Sequence, residues 1–293
     1  MTARTIDGKA IAAELRESIK REVEELRKLT GKVPGLATVL VGDDPASHVY
    51  VKMKNRACEQ LGIYSRKVEL PATATEEELL ALIEKLNSDD AINGILVQFP
   101  PPKHVNKEAV IRAVAPEKDV DGFHPKNVGE LFLGNEKVLV ACTPLGVIKL
   151  LEHENIDVAG KEVVIINRSN IVGKPLVALM INRSATVTVC HSKTRDMKEH
   201  ARRADILVSA AGREGFITAD HVKEGATVID VATVRREDGS LTGDVLFDEV
   251  SMKAGAITPS PGGVGPMTIA CLMQNTLLAF KMQNGVGDFS ARR

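Results

Sequence analysis

The sequence contains no tryptophan, two tyrosines and only 3% aromatic residues, which leaves little from which to build base-stacking platforms for nucleic acid. Its formal net charge of −1 offers no general attraction to polyanions or anionic lipid, so any anion site must be local. The four cysteines, Cys58, Cys142, Cys190 and Cys271, lie far apart without a C-x-x-C pair. That excludes a zinc-type spacing and a secretory disulfide framework. The histidines are equally dispersed, and no metal site is expected. No run approaches eighteen apolar residues, and residues 1–20 are charged and amphipathic instead of signal-like. The expectation is a soluble, cytoplasmic protein with no membrane or nucleic-acid partner.

What is present is a β-α alternation long enough, at 293 residues, for two domains. Ile11, Leu15, Ile19, Val23 and Leu26 predict a first amphipathic helix. Short apolar runs at Leu36–Val41, Tyr64–Leu70 and Gly94–Phe99 predict strands, separated by helices over 44–62 and 76–86. The third run stops at Pro100-Pro101-Pro102, which cannot continue a ladder. After an irregular stretch centred on Asp119-Val-Asp-Gly-Phe-His-Pro125 the alternation resumes from Pro144. Strands are expected at 162–166, 185–190, 205–210, 226–231 and 256–258, a hairpin turn at Asp238-Gly239, and a last helix opened by Pro266 with Ile269, Leu272, Met273, Thr276 and Phe280 on one side, followed by a frayed tail after Asn284. Strands alternating with helices mean parallel sheets with crossover helices.

Two stretches point to chemistry. In Asp44–Gly62, Asp44 can cap a helix that begins at Pro45 and closes at Gly62. Val49, Met53, Ala57 and Leu61 are expected to form its buried stripe, with Tyr50 and Lys54 one turn apart beside it. A phenol and an amine at the edge of a buried face can handle protons, because burial lowers a lysine pKa. The alternative is a tyrosine packed on a lysine stem. The second stretch is the strand Val163–Ile166 running into Asn167-Arg168-Ser169-Asn-Ile-Val-Gly173 and a helix, a strand-to-helix turn where a dinucleotide pyrophosphate would sit. The next strand ends in His191-Ser192-Lys193-Thr194 without a carboxylate. With Arg168 that makes a cationic, hydroxyl-lined pocket suited to a 2′-phosphate, so NADP is expected over NAD.

Seven stretches together resemble the bifunctional methylenetetrahydrofolate dehydrogenase/methenyltetrahydrofolate cyclohydrolase family. They are Tyr50-x3-Lys54 with Gly62-Ile63, Gly94–Gln98, Asp119–Pro125, Cys142-Thr-Pro-x-Gly146, Arg168–Pro175, Cys190–Thr194 and Pro261-Gly-Gly-Val-Gly-Pro-Met-Thr268, in order along nearly the whole chain. The resemblance implies two α/β domains, the second a Rossmann-like parallel sheet, with the active cleft between them and the C-terminal helix packing back on the first. The folate-binding catalytic domain would comprise 1–141 plus 271–293, and the NADP-binding domain 142–270. Hydride transfer from methylene-tetrahydrofolate to NADP would be followed by hydrolysis of the methenyl cation to formyl-tetrahydrofolate.

By the same resemblance Lys54 is the main group of the hydrolytic step, Tyr50 orients or stacks on the folate, Gln98 fixes Lys54, and Asp121 grips the pterin. Pro261, Gly262 and Gly263 bring backbone to the folate and nicotinamide, and Asn167, Arg168, Ser169, Gly173, His191, Ser192 and Thr233 line the cofactor. A homodimer through the nucleotide domains is implied. The chain departs from the family pattern mainly around the cofactor. Asn167 stands for a glycine, Ala232-Thr233 for Gly-Ile, and Ser260 for an apolar residue. Asn167 is expected to keep a left-handed turn but to crowd the phosphate and weaken NADP binding. Two alternatives follow, a cyclohydrolase with little or no dehydrogenase activity and a non-catalytic folate or nucleotide binder. A short-chain dehydrogenase also carries Tyr-x3-Lys, but downstream of its nucleotide turn, whereas here the pair lies upstream.

Overall fold

Capped helices and glycine- or proline-bounded apolar strands alternate along the whole chain, and the computed structural model describes residues 2–135 and 137–287. In chain order they are β1 (Arg4–Thr5), α1 (Gly8–Thr30), β2 (Gly35–Val41), α2 (Pro45–Leu61), β3 (Tyr64–Leu70), α3 (Glu76–Asn87) and β4 (Gly94–Val97). Then follow α4 (Lys107–Ala113), α5 (Pro125–Phe132), α6 (Cys142–His153), β5 (Glu162–Ile166), α7 (Gly173–Asn182), β6 (Thr186–Cys190), α8 (Met197–Ala201) and β7 (Ile206–Ser209). The last elements are β8 (Thr227–Asp230), β9 (Val234–Arg235), β10 (Leu241–Thr242), α9 (Phe247–Ser251), β11 (Ala256–Ile257) and α10 (Val264–Asn284). No helix of the described residues is long and apolar enough to cross a membrane.

The chain divides into two compact units. A small-sheet unit takes residues 14–130, 137–140 and 272–287, and a large-sheet unit takes 2–13, 131–135 and 141–271. This division differs at two places from a cut at residue 141. Residues 2–13 count with the large sheet because β1 pairs in parallel with β11. Residue 131 is tied there by Asn182 Nδ2, which donates to the Leu131 carbonyl at 2.8 Å.

The small sheet has the parallel order β3-β2-β4. All of β2 and β4 is buried, as expected of parallel strands covered on both faces, while the edge strand β3 is not. Ala37, Val39, Val41, Ile95 and Val97 form one core with Leu79, Ile83 and Leu86 of α3. The second half of α10 packs in this unit. Asn275 Nδ2 donates to the Val120 and Val140 carbonyls at 2.8 Å each, Gln283 Nε2 to the Asn93 carbonyl at 2.8 Å, and Lys281 pairs with Glu22 at 2.6 Å. The large sheet is wholly parallel, in the order β1-β11-β8-β7-β5-β6, with β9 and β10 forming a separate antiparallel ribbon.

Two expected helix faces need correction. On α2 the buried side chains are Ser47, Val51, Ala57, Cys58 and Leu61, while Val49 and Met53 are 58% and 47% exposed. A strict four-residue step drifts about 40° around a helix each time, so the expected stripe rotates off the core. The mixed spacing 47-51-54-58-61 stays on one face and brings Lys54 onto it. On α10 burial extends around most of the helix, including Met267, Ala270, Cys271, Asn275, Leu277 and Ala279, instead of following one stripe. The expected tail after Asn284 falls partly outside the described residues.

Candidate active site

In the small-sheet unit the position of Lys54 is fixed by the start and stop of α2. The Asp44 carboxylate accepts from the Ser47 N–H at 2.8 Å, and Gly62 ends the helix in a left-handed conformation at φ 72°. Gln98 follows the carboxyl end of β4, and its N–H still donates to the Val39 carbonyl at 2.8 Å. The Gln98 amide nitrogen donates to the Phe99 carbonyl at 2.9 Å, which turns the amide oxygen toward α2. There Oε1 accepts from Lys54 Nζ at 2.9 Å. The Gln98 amide is thus tied at both ends, to its own backbone neighbour and to Lys54.

Asp121 enters from the loop after the β4 neighbourhood. Buried Asp119 accepts from the His124 N–H at 2.8 Å and from Asn127 Nδ2 at 3.0 Å, which closes that loop, and Val120 is fully buried. Burial pushes the Asp121 carboxyl up to about 7, with the Lys54 ammonium opposing the rise and the Asp119 carboxylate adding to it. Lys54, Gln98 and Asp121 are thus brought into one electrostatic group. Tyr50 is 46% exposed, and Val49 and Met53 extend the exposed apolar surface of the same helix.

In the large-sheet unit the ends of β5 and β6 lie side by side, Ile166 facing Cys190. Arg168, Ser192 and Lys193 are exposed just beyond them, and His191 is half-buried. The 191–194 loop is closed by the His191 N–H donating to Thr194 Oγ1 at 2.9 Å and the Lys193 N–H donating to His191 Nδ1 at 3.1 Å. A guanidinium, an ammonium and a hydroxyl with no carboxylate among them are a donor set for a phosphate monoester, so these residues fit NADP.

The turn itself corrects an expectation. Asn167 is not in a left-handed conformation, and its carboxamide points into the turn. Its Oδ1 accepts from the Ser169 N–H at 2.7 Å, the Ser169 hydroxyl at 2.6 Å and the Gly173 N–H at 3.1 Å, while Nδ2 donates to the Ala210 carbonyl at 2.6 Å. A side chain on Gly173 would come within 2.3 Å of the Asn167 carbonyl oxygen, so the close approach requires glycine. Asn167 is held as a strut across the turn by these bonds.

Thr233 is exposed beyond the end of β8, and buried Ala232 before it offers its carbonyl to the Ser260 hydroxyl at 2.8 Å. Ser260 leads into Pro261-Gly262-Gly263. Gly262 sits at φ 110°, open only to glycine, and a side chain on Gly8 would strike the Gly263 carbonyl, so this segment rests on the first turn of α1. Sequence reasoning missed Asp230 and Asp244. Asp230 is 3% exposed, accepts from the Ala232, Asp244 and Val245 N–H groups, and has its carboxyl pushed up to about 6 chiefly by burial. A carboxylate ending the apolar strand Thr227–Asp230 was the available signal.

Comparison with known proteins matches the same two regions of the chain. The catalytic-domain model of the tetrahydrofolate dehydrogenase/cyclohydrolase family matches residues 6–121, and its NAD(P)-binding-domain model matches residues 141–284. The bifunctional protein FolD of Bacillus cereus (strain G9842) is 55% identical over 281 residues, covering 96% of this chain and 98% of its own. The crystal structure of the bifunctional FolD methylenetetrahydrofolate dehydrogenase/cyclohydrolase from Campylobacter jejuni superposes with a TM-score of 0.94 at 49% identity, over 96% of this chain and 99% of that one. The Trypanosoma brucei enzyme, complexed with NADP cofactor and inhibitor, gives 0.93 at 39% identity over 97% and 99%. With both family models matched in order along one chain, this protein belongs to the tetrahydrofolate dehydrogenase/cyclohydrolase family.

Proposed function

We infer that the chain oxidises 5,10-methylene-tetrahydrofolate with NADP and hydrolyses the resulting 5,10-methenyl-tetrahydrofolate to 10-formyl-tetrahydrofolate. The observation that carries this reading is the Lys54 Nζ to Gln98 Oε1 hydrogen bond at 2.9 Å beside an Asp121 carboxyl raised to about 7. In this reading the small-sheet unit holds the folate and the large-sheet unit the cofactor.

NADP, when bound, supplies the hydride acceptor. Arg168, Ser192 and Lys193 hold the 2′-phosphate, with His191 beside them, while Asn167, Ser169 and Gly173 shape the turn for the pyrophosphate. Thr233 and the Pro261–Gly263 backbone line the nicotinamide side. Because the methylene carbon lies between two nitrogens, the cation left by hydride loss is delocalised and the oxidation mainly requires positioning. Asp121, ionised, accepts two N–H bonds from the amino-pyrimidinone edge of the pterin, and Tyr50 stacks on the folate.

Proton transfer belongs to the second step. In its uncharged form Lys54 takes a proton from the water that adds to the methenyl carbon, and the ammonium returns it to the ring nitrogen that leaves; as the carbon–nitrogen bond breaks, the new hydroxyl becomes the formyl carbonyl and its proton passes by way of the freed amine to solvent. Gln98 keeps Nζ aimed during both transfers. Supplying methylene- and methenyl-tetrahydrofolate separately, each with and without NADP, tests the whole reading. Oxidation is expected only with NADP, and hydrolysis in every mixture except methylene-tetrahydrofolate without NADP, where no methenyl compound forms; hydrolysis of supplied methenyl-tetrahydrofolate without oxidation would leave a cyclohydrolase, and binding without either a silent module.

The same reading makes the protein a cytoplasmic enzyme with no nucleic-acid partner, consistent with its net charge of −1. It also makes it a homodimer through the large-sheet unit, where β6 ends the strand order and carries Val189, 37% exposed, with Ile181 of α7 53% exposed. Sedimentation velocity should return twice the chain mass; a monomer at micromolar concentration would overturn the dimer.

A further inference from the structure

The large-sheet unit contains a second buried carboxylate that the proposed chemistry does not use. Asp244 is 0% exposed, and no Lys or Arg side chain pairs with it among the described residues. Its Oδ2 accepts from the Ser209 hydroxyl and the Ala211 N–H, each at 2.6 Å, and its Oδ1 from the Arg213 N–H at 2.7 Å. Three donors replace the missing cation, which is how a buried carboxylate is kept.

All three donors belong to the end of β7 and the loop after it. β7 is the sheet neighbour of β5, with Ser209 opposite Ile166, so that loop lies directly beside the nucleotide turn. Ala210, enclosed between two of the donors, gives its carbonyl to the Asn167 carboxamide at 2.6 Å. On the other side, the Asp244 N–H donates to Asp230, which also holds the Ala232 N–H, and the Ala232 carbonyl receives the Ser260 hydroxyl. A single connected set of hydrogen bonds therefore spans the turns after β5, β7 and β8 at the carboxyl edge of the sheet, where open α/β sheets bind ligands. The Asp244 carboxylate holds the end of β7 and the loop after it, its backbone N–H joins them to the end of β8 through Asp230, and Ala210 joins them to the turn after β5.

We propose that Asp244 is a positioning residue for the cofactor, acting through the Ala210 carbonyl and the Asn167 carboxamide on the nucleotide turn. This rests on the NADP-dependent reading above. Asp244→Asn keeps the volume and can still accept from Ser209 and Ala211, but it sets an amide N–H against the Arg213 N–H. NADP affinity, measured by calorimetry without folate, should fall about tenfold. Amide exchange at Ser169 and Gly173 should quicken, while NADP-free hydrolysis of methenyl-tetrahydrofolate keeps its rate.

Unchanged NADP affinity in Asp244→Asn overturns the proposal. So does an equal loss of affinity and hydrolysis, which would mark Asp244 as general packing. Should that variant not fold, Ser209→Ala removes one donor and is expected to weaken NADP binding about threefold; no change there overturns the proposal equally. Failure of the unsubstituted protein to bind NADP would instead sink the functional reading itself.

Discussion

The two units treat the polar groups at their strand ends in opposite ways. In the small-sheet unit Lys54 bonds Gln98 and acts electrostatically on Asp121, and all three side chains are only half-buried. In the large-sheet unit Asn167, Asp230 and Asp244 are committed to backbone N–H and C=O groups of neighbouring turns. In the proposed function, the first arrangement keeps ionisable groups available for proton transfer. The second ties loops together beside exposed Arg168, Ser192 and Lys193, the donors assigned there to a charged ligand.

The largest expected effect removes the amine. Lys54→Met keeps the apolar stem on the buried face of α2 and should lower methenyl-tetrahydrofolate hydrolysis by about 10²–10⁴-fold, the usual contribution of a positioned acid–base group. NADP affinity should not move. A variant that hydrolyses at the native rate would take the base role from Lys54 and leave the small-sheet group without a proton carrier.

The same contrast explains what could be read from the sequence. Element types and order were legible, because caps such as Asp44 and Thr75, breakers such as Pro100–Pro102, and apolar runs act locally. Lys54, Gln98 and Asp121 were legible as parts of a family-like pattern, yet the face of α2 was not. A four-residue repeat and a mixed three-four repeat diverge by only about 50° per step, and contact with the sheet decides between them. The large-sheet brace was invisible for a different reason. Asp244 lies 31 residues from Arg213 and 35 from Ser209, distances along the chain that no local rule spans. Asn167 was misread because its residue type is compatible with a left-handed turn, whereas the nearby Ala210 carbonyl offers its side chain a better partner.

An intermediate effect tests the strut. Were the Asn167 carboxamide an obstacle to phosphate, Asn167→Gly would tighten NADP binding. Because it holds the Ser169 and Gly173 N–H groups and the Ala210 carbonyl, its removal should instead loosen the turn and weaken NADP about tenfold, with hydrolysis preserved. Calorimetric titration decides the sign, and tighter binding by the glycine variant would return Asn167 to the role of an obstacle.

The smallest effect separates ligand binding from folding through one residue, Asp121. Its carboxyl is raised to about 7 by burial, and the ionised form is the one that accepts pterin N–H bonds. Affinity for tetrahydrofolate should therefore rise several-fold between pH 6 and pH 8, and level off above the raised value, as the carboxylate fraction saturates. Stability of the free protein should move the other way. A carboxyl whose folded pKa exceeds its unfolded value binds more protons when native, so its stabilising contribution is complete below about pH 4 and is lost as pH rises through about 7. Asp230, raised to about 6, contributes to stability in the same direction, so Asp121→Asn should flatten only part of the stability trend. It should abolish the pH dependence of folate affinity altogether. If folate affinity in Asp121→Asn still climbs from pH 6 to pH 8, the titrating group lies elsewhere and the pterin contact belongs to another residue.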